Sequence, residues 1–166
     1  NIREVDAIVH VVRCFEDTNV IHVDGSVDPL RDIETIDTEL ILSDLEVVSG
    51  RAARMAKAGK TGDKKALAAA AWLGALEQHL GAGKNARSFA LDEGDEDQAQ
   101  QLREMGLLTA KPVIYAANMS EDDLMSGMDE NPHYRAVQEL ARAEGAECIP
   151  ICAKTEEDIA DYTPAE

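Results

Sequence analysis

The first clear pattern along the chain is the run Val5 to Phe15, where apolar side chains are interrupted only by Asp6, His10, Arg13 and the small Ala7 and Cys14. Such density of β-branched residues predicts a strand buried on both faces of a parallel sheet. A polar loop, Glu16 to Asn19, leads to Val20-Ile21-His22-Val23 and a turn at Asp24-Gly25. The period then changes. Ile33, Ile36, Leu40, Val47 and Val48 recur at helical spacing with acids in the first turns, which predicts a helix running to Lys57. Asp28-Pro29 supplies its start, because a proline at the first helical position lacks an N–H that would have no partner there.

Gly59-Lys60-Thr61-Gly62-Asp63 reads as a tight tip. An alanine-rich helix follows from Lys64 to about Leu80, ended by Gly81 and Gly83. Two long helices around a short polar tip predict an antiparallel hairpin. A further helix over Asp95 to Met105 leads into an apolar strand, Pro112 to Ala117. A helix from Pro132 to Ala143 closes at Gly145, and Cys148 to Cys152 forms the last strand. The order strand, long helical excursion, strand, helix, strand predicts an α/β core with parallel strands and a helical insertion.

Composition bounds the answer. A length of 166 residues with 45% hydrophobic side chains suits one globular domain, or a core with one insertion. No apolar run reaches the ~18 residues that a membrane span needs, and no signal peptide is expected. Three cysteines (Cys14, Cys148 and Cys152) lack framework spacing, so reduced thiols in a cytoplasmic protein are expected. Cys148 and Cys152 have no matching histidine pair and read as buried strand residues, so no metal site is assigned.

The net charge of −17 is unevenly spread. Between Arg51 and Arg87 stand eight Lys or Arg against Asp63 and Glu77, which leaves that stretch at +6 and the remainder at −23. An acidic body repels nucleic acid, yet a local basic projection can still meet phosphate; a solvated helix face is the plainer alternative.

Gly59-Lys60-Thr61 resembles the end of a phosphate-binding loop, but position 54 is arginine where that loop needs glycine, and helix precedes it. It is read as a turn. A better signal lies at the ends of two core strands, where open α/β sheets bind ligands. Asn118-Met119-Ser120-Glu121 follows one strand, and Cys152-Ala153-Lys154 follows the next, 34 residues on. In guanine-nucleotide proteins an N-x-x-D element and an S-A-K element hold these places and grip the base. An asparagine amide can donate to a ring nitrogen while tying two loops together.

Several longer runs resemble the Obg-like ATPase (YchF) family of P-loop NTPases. These are Asn1-Ile2-Arg3-Glu4, His10 to Asp17, Asn19 to Val23, Asp28 to Glu34, and Lys111 to Tyr115 continuing into Asn118 to Glu121. The likeness covers nearly the whole chain and is weakest from about Ser49 to Gln101. It implies a G-domain-like core in residues 1–43 and 107–166, with an inserted coiled-coil-like hairpin domain in 44–106. It also implies that the phosphate loop, the magnesium-holding residues and a C-terminal TGS domain belong to the full-length protein outside this chain, so residues 1–166 alone are expected to be inactive.

Position by position, the resemblance gives Asn118, Met119 and Glu121 to the base-reading loop. The family carries glutamate where GTPases carry aspartate and is similar to ATPases in preference, so ATP is the expected nucleotide and GTP the alternative. A carboxylate moved by one methylene cannot hold the guanine edge in the same geometry, and lost hydrogen bonds decide specificity. Cys152, Ala153 and Lys154 match the second base loop, with cysteine replacing the common serine. Phe15 is expected either near the base or in the core. His22 matches a loop histidine that serves hydrolysis, and a neutral imidazole can orient or deprotonate water. The implied partner is the ribosome or its large subunit, met through basic residues in 51–65, with no membrane involved. Three readings therefore stand: an ATP-hydrolysing regulator that signals to the ribosome, a GTPase of relaxed base choice, and a non-catalytic helical module for RNA or protein.

Overall fold

A computed structural model describes residues 6–15 and 27–152. The Val20 to Val23 segment with His22, and the pair Ala153 and Lys154, lie outside the described residues. The chain divides into two compact units, one of Ala7–Glu34 with Val113–Glu166 and the other of Asn1–Asp6 with Thr35–Pro112.

The first unit is built on three parallel strands, β1 (Ile8–Arg13), β2 (Val113–Asn118) and β3 (Glu147–Ile151), in the order β1-β2-β3. Ile8 lies opposite Val113, Arg13 opposite Asn118, and Asn118 opposite Ile151. Parallel neighbours cannot be joined by a tight turn, so each connection is a crossover containing helices. Between β1 and β2 runs the long helical excursion. Between β2 and β3 come α4 (Glu121–Ser126), a 3-10 turn at Met128–Glu130, and α5 (Pro132–Glu144). Helix α5 starts with proline at its first position and stops at Gly145, whose φ of 70° is open to glycine at little cost. Asn118, the last residue of β2, and Ser120, the cap of α4, bracket a strand-to-helix turn.

The core of this unit gathers Val12, Cys14, Tyr115, Ala117 and Met119 against Ile33, Tyr134, Val137 and Ala141. All the strand contributions point to one face. On the other, Val9 and Val11 are 59% and 57% exposed and Ile149 is also exposed. Among the described residues, helices cover one side of the sheet, and the other side of the first strand, expected to be buried as well, is exposed. The β-branched run therefore alternates in burial although it does not alternate in polarity.

His10 points into the covered face. Its ring stands 5.7 Å from that of Tyr115, whose hydroxyl donates to Glu144 Oε2 at 2.6 Å. Burial lowers the His10 pKa below its usual 6.5, against the opposing pull of Asp32 and Glu144.

The second unit is helical. Helix α1 (Pro29–Gly59) opens on Asp28, whose carboxylate accepts from the Arg31 N–H at 3.1 Å. From residue 35 it belongs to this unit. Its Ile41 and Val48 pack with Ala69, Leu73, Leu76 and Leu80 of α2 (Lys64–Gly81). The tip between them is a turn, as expected: Thr61 N–H donates to Ala58 O and Gly62 N–H to Gly59 O. A Cβ at Gly59 would come within 2.5 Å of Leu67 Cδ2, so the two helices meet closely there. Asp63 then caps α2 by accepting from Ala66 N–H at 3.1 Å. Helix α3 (Glu96–Met105) adds Met105 and, at its flank, Leu102 to the same core.

A buried carboxylate organises the return of the chain. Asp44, fully buried on α1, accepts from Leu108 N–H at 2.9 Å and from the Thr109 N–H and hydroxyl at 2.7 Å each. Thr109 Oγ1 in turn accepts from Ala86 N–H at 2.9 Å. Two 3-10 turns, Ala86–Ser88 and Leu108–Ala110, are thus fastened to α1. Buried polar groups of this kind are tolerated because each is paired. No described helix is long and apolar enough to cross a membrane.

The buried imidazole sets a pH dependence. Between the lowered folded-state pKa and 6.5 the unfolded chain binds the proton more readily, so stability is complete above 6.5 and declines as pH falls through that window. Denaturant midpoints measured from about pH 7.5 to about 5.5 are expected to fall in wild type and to fall less in His10→Phe, which keeps an aromatic ring beside Tyr115 but takes up no proton. Equal slopes for the two proteins would show that His10 is not the group responsible.

Candidate functional site

The C-terminal ends of the three strands lie side by side because the ladder is in register. Hydrogen bonding even continues one residue past the strands. Cys14 N–H donates to Asn118 O and Met119 N–H to Ile151 O, both at 2.8 Å. Cys14 and Phe15 after β1, Met119 and Ser120 after β2, and Cys152 after β3 are therefore brought to a single sheet end, the place where open α/β sheets bind ligands.

From β1 comes Phe15, partly buried, with the Arg13 guanidinium 4.8 Å from its ring centroid. Contact of a cation with an aromatic face fixes the ring's attitude. From β2 comes Asn118, partly buried, and then Met119, which is 1% exposed and belongs to the hydrophobic core. Ser120 caps α4, its hydroxyl accepting from Asp123 N–H at 3.2 Å. That cap starts the helix one residue later and leaves Glu121 exposed in its first turn. From β3 comes Cys152, buried. An exposed carboxylate acceptor and an amide able both to donate and to accept thus stand three residues apart across one strand-to-helix turn, which is chemistry suited to the polar edge of a heteroaromatic ring.

A cleft of about 460 Å³ opens beside this end, with Cys14, Phe15, Ser120, Asp123, Asn131 and His133 among its lining residues. Of the described positions expected from sequence, Phe15 borders the cleft, whereas Asn118, Met119, Glu121 and Cys152 do not line it. Asn131 escaped the sequence reading. It caps α5 by accepting from His133 and Tyr134 N–H at 2.9 and 3.1 Å. Its amide also donates to Cys14 O at 2.8 Å and to Asp123 Oδ2 at 3.0 Å. The Asn-Pro pair signals the cap, but nothing local signals a bond to a carbonyl 117 residues away. Among the described residues no group of three or more His, Cys, Asp or Glu is placed to hold a metal ion.

A parallel three-stranded sheet, interrupted in sequence by an antiparallel helical hairpin, is a G-domain-like α/β core with a helical insertion. No family model matches the chain. Individual proteins do. The chain is 44% identical over 166 residues to the ribosome-binding ATPase YchF of Bacillus subtilis and 45% identical over 167 residues to that of Escherichia coli O157:H7, with all of the chain aligned in both cases. The structure of the Schizosaccharomyces pombe YchF GTPase superposes with a TM-score of 0.76 at 30% identity and covers 98% of the chain. Along its whole length the chain is homologous to these YchF proteins. It spans 44% of the length of each of these three relatives.

The thiol at the cleft is held inert. Burial, reinforced by the neighbouring Cys148, pushes the Cys14 pKa up to about 12. Since the thiolate is the nucleophile, native Cys14 is expected to resist iodoacetamide at about pH 8 and to react only after unfolding. Mass mapping of alkylated peptides checks this, and rapid native labelling at Cys14 would contradict its burial.

Proposed function

We propose that this chain forms the base-reading loops and the helical hairpin of a cytoplasmic protein that hydrolyses ATP and associates with the ribosome. The observation that supports it best is the juxtaposition of the Asn118 to Glu121 loop and Cys152 at one sheet end, in a chain aligned throughout with ribosome-binding ATPases. In this reading Asn118 and Glu121 contact the base edge, and Met119 shapes the loop from within the core. Phe15 flanks the base, and Cys152, Ala153 and Lys154 supply the second loop. His22 orients the attacking water, while the phosphates and magnesium are held by residues outside this chain. Adenine is favoured by Glu121. Guanine remains the second reading because the fission-yeast relative is described as a GTPase.

Calorimetric titration of the full-length protein with ADP and GDP separates these readings. Asn118→Ala is expected to weaken ADP binding by roughly tenfold, the scale of a buried hydrogen bond lost from a recognition site. Glu121→Asp should move preference towards GDP. His22→Ala should slow turnover while leaving affinity near wild type, because a water-orienting group acts in the transition state. Unchanged affinities in the first two variants would exclude this loop from base recognition, and a parallel loss of binding and rate would make His22 structural.

The helical hairpin is read as the ribosome-facing part. Arg54, Lys57, Lys60, Lys64 and Lys65 are exposed around the tip of the α1–α2 hairpin. Arg51 is committed elsewhere: its guanidinium donates to Gln101 Oε1 at 2.9 Å and pairs with Glu104 at 3.0 Å. The phosphate-contacting set therefore begins at Arg54. With −23 on the remaining chain, contact with RNA is favourable through this tip, and it would read backbone phosphates rather than bases. Changing Lys57, Lys60, Lys64 and Lys65 to glutamate should abolish co-sedimentation of the full-length protein with ribosomal subunits, and wild-type association should weaken steeply with salt. Normal binding by the reversed protein, or indifference to salt, would leave the tip as solvated surface.

A further inference from the structure

We propose that Asn131 is a positioning residue for the nucleotide base, holding the Phe15 loop and the Glu121 loop at a fixed spacing. The inference rests on the nucleotide reading above, and on a geometry that a helix cap alone does not require. An asparagine side chain offers two acceptor and two donor positions. At Asn131 all four are used, in a side chain that belongs to a residue 8% exposed. The oxygen takes the two backbone N–H groups at the start of α5. For that task serine or aspartate serves as well. The amide nitrogen reaches the other way, to the Cys14 carbonyl and the Asp123 carboxylate. The orientation of the amide is fixed by its surroundings, since a flipped group would set its NH₂ against two N–H donors and its oxygen against two acceptors.

Those two acceptors are the significant part. Cys14 immediately precedes Phe15, and its own N–H is bonded to Asn118 O. Asp123 lies two residues after Glu121, and its N–H is bonded to Ser120 Oγ. One amide therefore joins the backbone that carries Phe15 to the short helix that carries Glu121. Helix α4 has only six residues, with Leu124 packed against the core. A base entering between these loops meets them already spaced, so less ordering is left to oppose binding. Losing the amide while keeping the cap should weaken nucleotide binding without altering the chemical step.

The test uses the full-length protein, with ADP affinity by calorimetry, turnover at saturating ATP, and melting temperature as separate readouts. Asn131→Ser and Asn131→Asp both keep an oxygen for the cap and lose the donors. Each is expected to weaken ADP by roughly tenfold, with saturated turnover within about twofold of wild type. Asp123→Ala cuts the α4 side of the clamp with the cap intact and should lower affinity in the same direction, and it decides the matter if the Asn131 variants do not fold. Asp123→Asn retains an acceptor oxygen and should restore near-wild-type affinity. Thr109→Val, which weakens the buried network in the other unit, should lower the melting temperature and leave ADP binding unchanged. Lower melting temperatures with unchanged ADP affinity in the Asn131 and Asp123→Ala variants would overturn the proposal and reduce Asn131 to a cap. Failure of the wild-type protein to bind ADP or GDP would instead remove the nucleotide reading, and this inference with it.

Discussion

Every feature of the candidate site depends on the register of a three-stranded parallel ladder. Arg13, Asn118 and Ile151 stand abreast because each strand pairs with the next without a bulge. The ladder is extended by one bond at each loop, from Cys14 to Asn118 and from Met119 to Ile151. A slip of one residue between β1 and β2 would exchange the faces of the first strand, turning His10 and Val12 outward and Val9 and Val11 into the core. It would also carry Phe15 away from the Asn118 loop. Position of the loops and composition of the core are thus fixed by the same hydrogen bonds.

The helical unit solves a different problem with a related device. A hairpin of two helices buries one apolar stripe from each, and this suffices for Val48 and Leu73 to Leu80. The chain that returns after α2 has weaker patterning, with short turns in place of long elements. Asp44 compensates by presenting a buried carboxylate to three donors at Leu108 and Thr109, and Thr109 passes the connection on to Ala86. Asn131 plays the corresponding part in the sheet unit. Each unit holds a polar side chain that uses its hydrogen-bonding capacity to fasten segments that apolar packing alone does not specify.

Charge separates from these tasks. The strongly acidic remainder of the chain and the basic hairpin are distinguished by sequence position, and the tip residues are exposed rather than engaged in the core. Arg51 shows where that separation ends. Although it belongs by sequence to the basic stretch, it is drawn into pairing with Gln101 and Glu104 of α3. The two residues of α3 that bind it lie fifty positions and more along the chain, which is why composition counts Arg51 with the tip and geometry does not.

Much of the architecture was legible in the residues themselves. The 3.6-residue spacing of Ile33 to Val48, the proline of α1 and the glycines at 81 and 145 marked helices whose observed bounds differ by a residue or two. The short helix α4 and the three 3-10 turns went unread, since six or fewer residues carry too little periodicity to be distinguished from loop. The Asn118 to Glu121 and Cys152 segments stand out in sequence because each comes at the end of an apolar strand, which is a local signal. What tertiary structure alone decided were relations between distant positions: which face of β1 is covered, which residues border the cleft, where Arg51 spends its charge, and the bonds of Asp44 and Asn131. A side chain's hydrogen-bonding capacity is written in its identity, but its partners are chosen by the fold, and no pattern along the chain records a contact made 117 residues away.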